Sequence, residues 1–149
     1  MPPTLSIVVP AFNESARIGP SLQKVVKYLA EQHGPSELIV VDDGSSDDTA
    51  AVAESAVRDS GSIETRVIRY EENRGKGYAV RLGLLEAKAN IALFSDADLS
   101  TPIAEAAKLI DPIVSLGLAA LELFGRYGRQ RAPIQPLRQI GPLRHRLCR

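Results

Sequence analysis

Four short apolar runs alternate along the chain with segments whose apolar residues recur at helical spacing. Strands are predicted at the runs, over residues 5–9, 37–42, 66–70 and 91–95, with Pro10 ending the first. Helices are predicted after them, over residues 17–32, from 47–49 to 57, over 77–89 and from Pro102 to about 114. Fourfold alternation of strand and helix is typical of a mostly parallel sheet with helices on both faces, which places the chain in the α/β class.

The alternation ends near residue 115, where the composition also changes. Residues 116–124 fit either a fifth strand or a helix. All 18 acidic side chains lie within residues 1–124, whereas residues 125–149 hold seven arginines and no acid. The formal net charge of zero therefore averages two unlike segments. We interpret residues 125–149 as irregular, because they show neither the strand period nor the helix period.

Composition excludes several classes of protein. An apolar content of 44% with 24% charged residues is ordinary for a globular chain and argues against disorder. The longest apolar runs have about five residues, whereas roughly 20 are needed to cross a bilayer. The single cysteine excludes a disulfide framework within this sequence and suits a reducing compartment, so we expect a cytoplasmic protein. Because there are only two histidines, a metal site would have to be built from carboxylates.

Polar clusters follow three of the four predicted strands, at residues 10–14, 42–45 and 96–98. Each cluster alone is also explained by a turn or a helix cap. Because the carboxyl ends of parallel strands meet at one edge of a sheet, up to five carboxylates are expected to converge there. They are Glu14, Asp42, Asp43, Asp96 and Asp98. Carboxylates this close repel unless a proton or a cation intervenes, so the sequence predicts Mg²⁺ or Mn²⁺ with a bound diphosphate.

Four segments resemble motifs of family-2 glycosyltransferases, in the same order and spacing. They are residues 8–14 (VVPAFNE), 40–49 (VVDDGSSDDT), 73–77 (NRGKG) and 96–102 (DADLSTP). The similarity is greatest to the branch that moves a sugar onto dolichyl or polyprenyl phosphate, and it extends over roughly residues 4–114. The resemblance implies a Rossmann-like GT-A fold, incomplete at its C-terminus. It also implies a UDP- or GDP-sugar donor, a lipid-phosphate acceptor, and transfer with inversion.

The resemblance further implies roles for residues at the donor site. Phe12 is expected beside the nucleotide base, and Asp42 is expected to accept a hydrogen bond from that base. Asp96 is expected to face the ribose or the sugar, and Asp98 to bind the metal, with Asp96 as its neighbour in the metal site. A core position for Phe12 and a surface position for Lys76 remain open. The implied donor-binding residues are Pro10, Ala11, Phe12, Asn13, Glu14, Asp42, Asp43, Gly44, Lys76, Asp96, Ala97 and Asp98.

The acceptor side of such an enzyme is not evident in the sequence. Family members continue into a second half that binds the acceptor and supplies a downstream carboxylate, but the only acid after Asp111 is Glu122. No catalytic base is therefore assigned. A phosphate acceptor has less need of one, because its second pKa of about 6 leaves it largely dianionic at neutral pH. The alternatives are a catalytically incomplete nucleotide-sugar-binding fragment and, less favoured, a sugar nucleotidyltransferase, whose glycine-rich phosphate loop is missing after the first strand.

Residues 1–114 are thus predicted to be the nucleotide-sugar-binding part, and residues 115–149 an atypical segment with two explanations. In one, its arginines hold the protein peripherally at the cytoplasmic face of a membrane, near a lipid-phosphate acceptor, at about 1 kcal/mol each. In the other, which the composition favours, the segment is a truncated or frame-shifted ending. Nucleic acid is not expected as a partner, because Tyr127 is the only aromatic residue of residues 125–149 available for stacking.

Overall fold

A parallel β-sheet forms the centre of the molecule in the computed structural model, which describes residues 3–116 and 122–123. Its strands are β1 (Leu5–Ala11), β2 (Ser36–Asp43), β3 (Glu64–Tyr70), β4 (Ile91–Phe94) and β5 (Glu122–Leu123), in the order β3-β2-β1-β4-β5. The helices are α1 (Ile18–Ala30), α2 (Thr49–Val57), α3 (Lys76–Glu86) and α4 (Ala107–Leu116), with a 3₁₀ turn at Ile103–Ala106 before α4. All described pairings are parallel, so the predicted α/β class is confirmed.

The strands β1 and β2 are covered on both faces, which explains their mainly apolar sequences. Every residue of β1 and β2 is buried. One face of the sheet, including Ile7 and Val40, packs against α1, α2 and the 3₁₀ turn. The other face, including Val8 and Val41, packs against α3. Gly83 of α3 makes this packing possible, because a Cβ there would lie 2.3 Å from a methyl group of Val8.

Strand β1 continues through Pro10 to Ala11, two residues beyond its predicted end at residue 9. Strand β4 pairs with β1 only as far as Val8, whose carbonyl accepts the Ser95 N–H at 2.9 Å. Since strand residues two apart face the same neighbour, Pro10 turns its missing N–H toward the side that β4 has left. A proline therefore removes no hydrogen bond from this strand.

Helix α3 ends at Glu86, three residues before its predicted end. The chain becomes extended at Ala87, with φ −66° and ψ 134°. The next N–H, that of Lys88, donates to the buried Glu37 carboxylate of β2 at 3.0 Å instead of continuing the helix. A long-range hydrogen bond thus ends a segment whose local sequence still favours a helix.

The segment beyond α4 is described only at β5. The prediction of a strand or a helix over residues 116–124 falls mostly outside the described residues, as do both explanations for residues 125–149. Within the described part of the chain, none of the helices is both long and apolar enough to span a bilayer.

Candidate functional site

A cavity of about 450 Å³ opens at the carboxyl edge of the sheet, beyond β1, β2 and β4. Nine of the twelve predicted donor-binding residues line it. They are Pro10, Ala11, Phe12, Glu14, Asp43, Lys76, Asp96, Ala97 and Asp98. Asn73 and Gly75 complete the wall; the prediction omitted both, although they belong to the NRGKG segment that carried the resemblance. Asn13, Asp42 and Gly44 lie outside the wall.

Phe12 is an exposed side chain in this wall. Phe12 is 46% exposed. The core position that the sequence left open for it is therefore wrong. Glu14, on the same loop, forms an ion pair with Arg17 at the start of α1, with 2.8 Å between Oε2 and Nη2. The loop after β1 therefore offers the cavity one aromatic ring and one carboxylate that already has a cationic partner.

Asp43, at the end of β2, anchors the loop between β3 and α3. Its Oδ1 accepts hydrogen bonds from the Tyr70 hydroxyl at 2.6 Å and from the Arg74 N–H at 2.7 Å. Its Oδ2 accepts from the Asn73 side-chain amide at 3.2 Å. Burial, together with the hydrogen bond to Asp43, raises the pKa of Tyr70 well above its ordinary value of 10.0. Asp43 thus holds Asn73 and the following Gly75 in the cavity wall.

Gly44 lets the same loop approach β2 closely. Its φ is +68°, a conformation that other residues rarely adopt, and a Cβ there would lie 2.6 Å from the backbone nitrogen of Asn73. Gly44 therefore shapes the site through the backbone while lying outside the wall of the cavity.

Asn13 joins the loops that follow β1 and β2. Its N–H donates to the Ser45 hydroxyl, and its Oδ1 accepts the Ser46 N–H, both at 2.9 Å. Asp47 makes a parallel connection, because its Oδ2 accepts the Ser15 N–H at 3.2 Å. Hydrogen bonds from Thr49 and Ser15 lower the pKa of Asp47 to about 2. These contacts fix the loop that carries Phe12 and Glu14.

Asp42 does not line the cavity and is fully buried. Its Oδ1 accepts the Ser45 N–H at 3.1 Å. Its Oδ2 has no hydrogen-bond partner among the described residues, and it lies 3.5 Å from Nε of Arg69 on β3. Hydrogen bonding of Asp42 to a nucleotide base stays a prediction.

The loop after β4 brings Asp96 and Asp98 to the cavity. Lys76 Nζ lies 2.5 Å from Asp96 Oδ1, and Oδ1 of Asp98 accepts the Ser100 N–H at 2.9 Å. Leu99, which follows Asp98, has φ +49°, and its N–H donates to the Asp96 carbonyl at 3.0 Å. This tight turn presents both carboxylates on one wall.

The two carboxylates of the loop after β4 suit a divalent cation that also binds a ligand in the cavity. Among the described residues, no group of three or more His, Cys, Asp or Glu side chains is placed to hold a metal ion. Mg²⁺ and Mn²⁺ prefer oxygen ligands, and Mg²⁺ in particular commonly takes one or two carboxylates and completes its coordination with water and phosphate oxygens. The carboxylates of Asp96 and Asp98 fit that pattern.

Comparisons with a family model and with individual proteins identify the same family of glycosyltransferases. The model of glycosyl transferase family 2 matches residues 6–142, a range that extends into the arginine-rich segment. The dolichyl-phosphate beta-glucosyltransferase of Saccharomyces cerevisiae is 35% identical over 123 residues, which cover 80% of this chain and 37% of the yeast protein.

Two solved structures carry the same architecture. Mannosyltransferase PcManGT from Pyrobaculum calidifontis, in complex with GDP-Man and Mn²⁺, aligns with a TM-score of 0.56 and 28% identity over 66% of this chain and 28% of that one. S. aureus TarS in complex with UDP-GlcNAc aligns with a TM-score of 0.57 and 29% identity over 73% of this chain and 31% of that one. The chain thus spans about a third of the length of the relatives it matches.

Proposed function

The chain belongs to glycosyl transferase family 2 and has its GT-A fold, and on that premise we propose that it binds a nucleotide-sugar donor for transfer of the sugar, with inversion, to dolichyl or polyprenyl phosphate. The observation that carries the proposal is the grouping of an exposed aromatic ring, a lysine and two neighbouring carboxylates in one cavity of about 450 Å³. A flat apolar group suits a nucleotide base, and a set of cations and carboxylates suits a diphosphate with its metal.

The donor is proposed to lie along the loops after β1, β3 and β4. Phe12, which is exposed in the cavity wall, takes the base. Lys76 opens α3, so that its ammonium group and the positive end of the helix dipole both favour an anion at this point. The bound UDP-GlcNAc of TarS and the bound GDP-Man of PcManGT support a nucleotide-sugar donor, and both bases stay candidates.

Asp98 and Asp96 are the residues proposed to hold Mg²⁺ or Mn²⁺. The Mn²⁺ in the PcManGT complex supports a divalent cation as the cofactor. A divalent cation on the diphosphate stabilises negative charge on the leaving group, which is Lewis-acid assistance. The chain's own contribution is positional, because the turn at Leu99 holds the two carboxylates on one wall.

The acceptor is proposed from the yeast relative, whose name states transfer to dolichyl phosphate. Such an acceptor is embedded in a membrane, so we propose that the protein works peripherally at the cytoplasmic membrane face. A lipid phosphate is largely dianionic at neutral pH and attacks without first losing a proton to a protein base. This fits a described site in which no general base has been assigned.

A second candidate function is donor binding without transfer by this polypeptide. The chain spans 37% of the length of the yeast enzyme, and the cavity formed by its described residues accounts for donor binding. The two candidates predict the same ligand in the cavity and differ only in turnover.

Calorimetric titration with UDP and GDP, each with and without Mn²⁺, tests the shared part of the proposal. We expect binding of at least one nucleoside diphosphate that requires Mn²⁺ and is lost in Asp98→Ala. The matched control is Asp59→Ala, which removes an exposed carboxylate from the loop before β3. Failure of both nucleotides to bind the folded protein would reject donor binding. Transfer of a labelled sugar to dolichyl phosphate then separates the enzyme from the binding part.

A further inference from the structure

An ion pair between Lys76 and Asp96 lies within the wall of the candidate donor site. The 2.5 Å separation joins the first residue of α3 to the first residue after Ser95 on the β4 loop. The Asp96 side chain is only 19% exposed, whereas that of Lys76 is 57% exposed. The ammonium group also lies 5.8 Å from the centre of the Phe94 ring. A largely solvent-exposed cation is thus paired with a largely sheltered carboxylate.

This pair affects any metal that approaches Asp96. A divalent cation and an ammonium group that share one carboxylate repel each other, and the repulsion is stronger in a partly buried site than in water. The cation therefore gains less from Asp96 while Lys76 remains in place. A bound diphosphate would reduce this repulsion, because it gives the Lys76 ammonium group a second negative partner that a rotation of the side chain would bring within contact.

We propose that Lys76 is an internal counter-ion of Asp96, and that it passes to the diphosphate when donor and metal bind together. Lys76 weakens binding of the metal alone and strengthens binding of the diphosphate with its metal. Metal and diphosphate are thereby coupled, and each raises the affinity for the other by the same factor. The inference deepens the proposed function and rests on it for the step in which the diphosphate receives Lys76.

The local structure permits the movement. Lys76 has glycine on both sides, and Gly75 has φ +89° with open space around it. Most of the Lys76 side chain faces solvent, so leaving Asp96 exposes little new apolar surface. Asp96 keeps a second contact, since its Oδ2 lies 3.5 Å from the Ser100 hydroxyl.

Lys76→Met separates charge from side-chain length and tests the proposal. Binding of Mn²⁺ alone is followed by the loss of the free-ion signal in electron paramagnetic resonance. UDP or GDP binding in saturating Mn²⁺ is followed by calorimetry. We expect Lys76→Met to bind Mn²⁺ alone about tenfold more tightly than the unsubstituted protein, and to bind the diphosphate with Mn²⁺ about tenfold more weakly.

Two variants serve as controls. Lys76→Arg keeps the charge and is expected to retain weak binding of Mn²⁺ alone. Lys88→Met removes another lysine that is paired with a carboxylate, Glu64, at the opposite edge of the sheet, and is expected to change neither affinity. Equal melting temperatures of the variants establish that each one folds.

The outcomes distinguish this proposal from the proposed function. Unchanged affinity for Mn²⁺ alone in Lys76→Met overturns the counter-ion role, whatever the nucleotides do. Tighter Mn²⁺ binding without a weaker diphosphate overturns the transfer of Lys76 to the diphosphate. If the unsubstituted protein binds no nucleoside diphosphate at all, the proposed function fails with the transfer step, whereas the Mn²⁺ measurement still reports on the pair with Asp96.

Discussion

The carboxylate of Asp43 accepts the backbone N–H of Arg74 at 2.7 Å, which ties the end of β2 to a loop 31 residues further along the chain. The same carboxylate accepts the Tyr70 hydroxyl and the Asn73 amide. One buried acid therefore organises the whole loop from which Asn73, Gly75 and Lys76 reach the cavity. The stability of the fold and the geometry of the site depend on the same hydrogen bonds.

Asp43→Ala is expected to lower the free energy of unfolding by about 3 kcal/mol, because it leaves the Arg74 N–H and the Tyr70 hydroxyl without their charged acceptor. Urea denaturation measures this value. Tyr70→Phe removes only one of these hydrogen bonds and is expected to cost about 1.5 kcal/mol. Equal effects of the two variants would contradict the central role of Asp43.

Gly44→Ala is expected to destabilise the protein by about 3 kcal/mol, because the new methyl group meets the Asn73 backbone and φ is +68°. The chain offers a matched control in Gly61, which has φ +66° but nothing within 4 Å of a Cβ. Gly61→Ala carries the backbone strain alone and is expected to cost about 1 kcal/mol. A thermal melt of each variant compares them, and equal shifts would show that the close approach to Asn73 contributes nothing.

Much of this site is predictable from the sequence. Short apolar runs predicted β1 and β2, and the polar clusters after the strands predicted that Glu14, Asp43, Asp96 and Asp98 meet at one edge of the sheet. The resemblance of the quoted motifs to family-2 glycosyltransferases is confirmed by the family match.

Neighbouring residues on a strand face opposite sides of the sheet, so only one of Asp42 and Asp43 was to be expected at the cavity, but the sequence did not predict which one. Asp43 shares a face with Val41 and meets the loop before α3, whereas Asp42 shares a face with Val40 and lies under the loop before α2. Sequence alone does not tell which face borders the cavity. Asn73 was missed for a similar reason, since its position depends on contacts with a residue 30 positions away.

Asp47 is expected to make the stability depend on pH in acid. Its pKa is about 2 in the folded protein, below the ordinary 3.8, so its contribution is complete above the ordinary value and is lost as the pH falls toward 2. The melting temperature of Asp47→Asn should therefore be lower than that of the unsubstituted protein near pH 6, and the gap should narrow by about pH 3. Asp59→Asn, at an exposed site, serves as the control. A gap that stays constant with pH would assign the effect to packing instead.

Glu37 is the second buried acid whose loss is expected to matter, at the edge of the sheet away from the cavity. Its Oε2 accepts the Ser6 hydroxyl at 2.6 Å and the Lys88 N–H at 3.0 Å, and its Oε1 pairs with Arg66 at 2.7 Å. Burial raises the pKa of Glu37, but the hydrogen bonds from Lys88, Ser6 and Arg66 outweigh it and hold the pKa below the ordinary 4.5. The carboxylate therefore stabilises the fold above that value and ceases to do so as the pH falls below it.

Glu37→Gln is expected to cost about 3 kcal/mol at neutral pH, because breaking a buried ion pair leaves its partner Arg66 without the buried charge it faces. Glu86 supplies the matched control, since it pairs with the same Arg66 at 3.3 Å but its side chain is 48% exposed. Glu86→Gln should therefore cost less than about 1 kcal/mol in the same urea titration. Because Glu37 also fixes the chain immediately after α3, hydrogen exchange at the Lys88 amide should rise in Glu37→Gln and stay unchanged in Glu86→Gln. Equal costs for the two variants would contradict this prediction, because they would show that burial of the Glu37 carboxylate adds nothing to its pairing with Arg66.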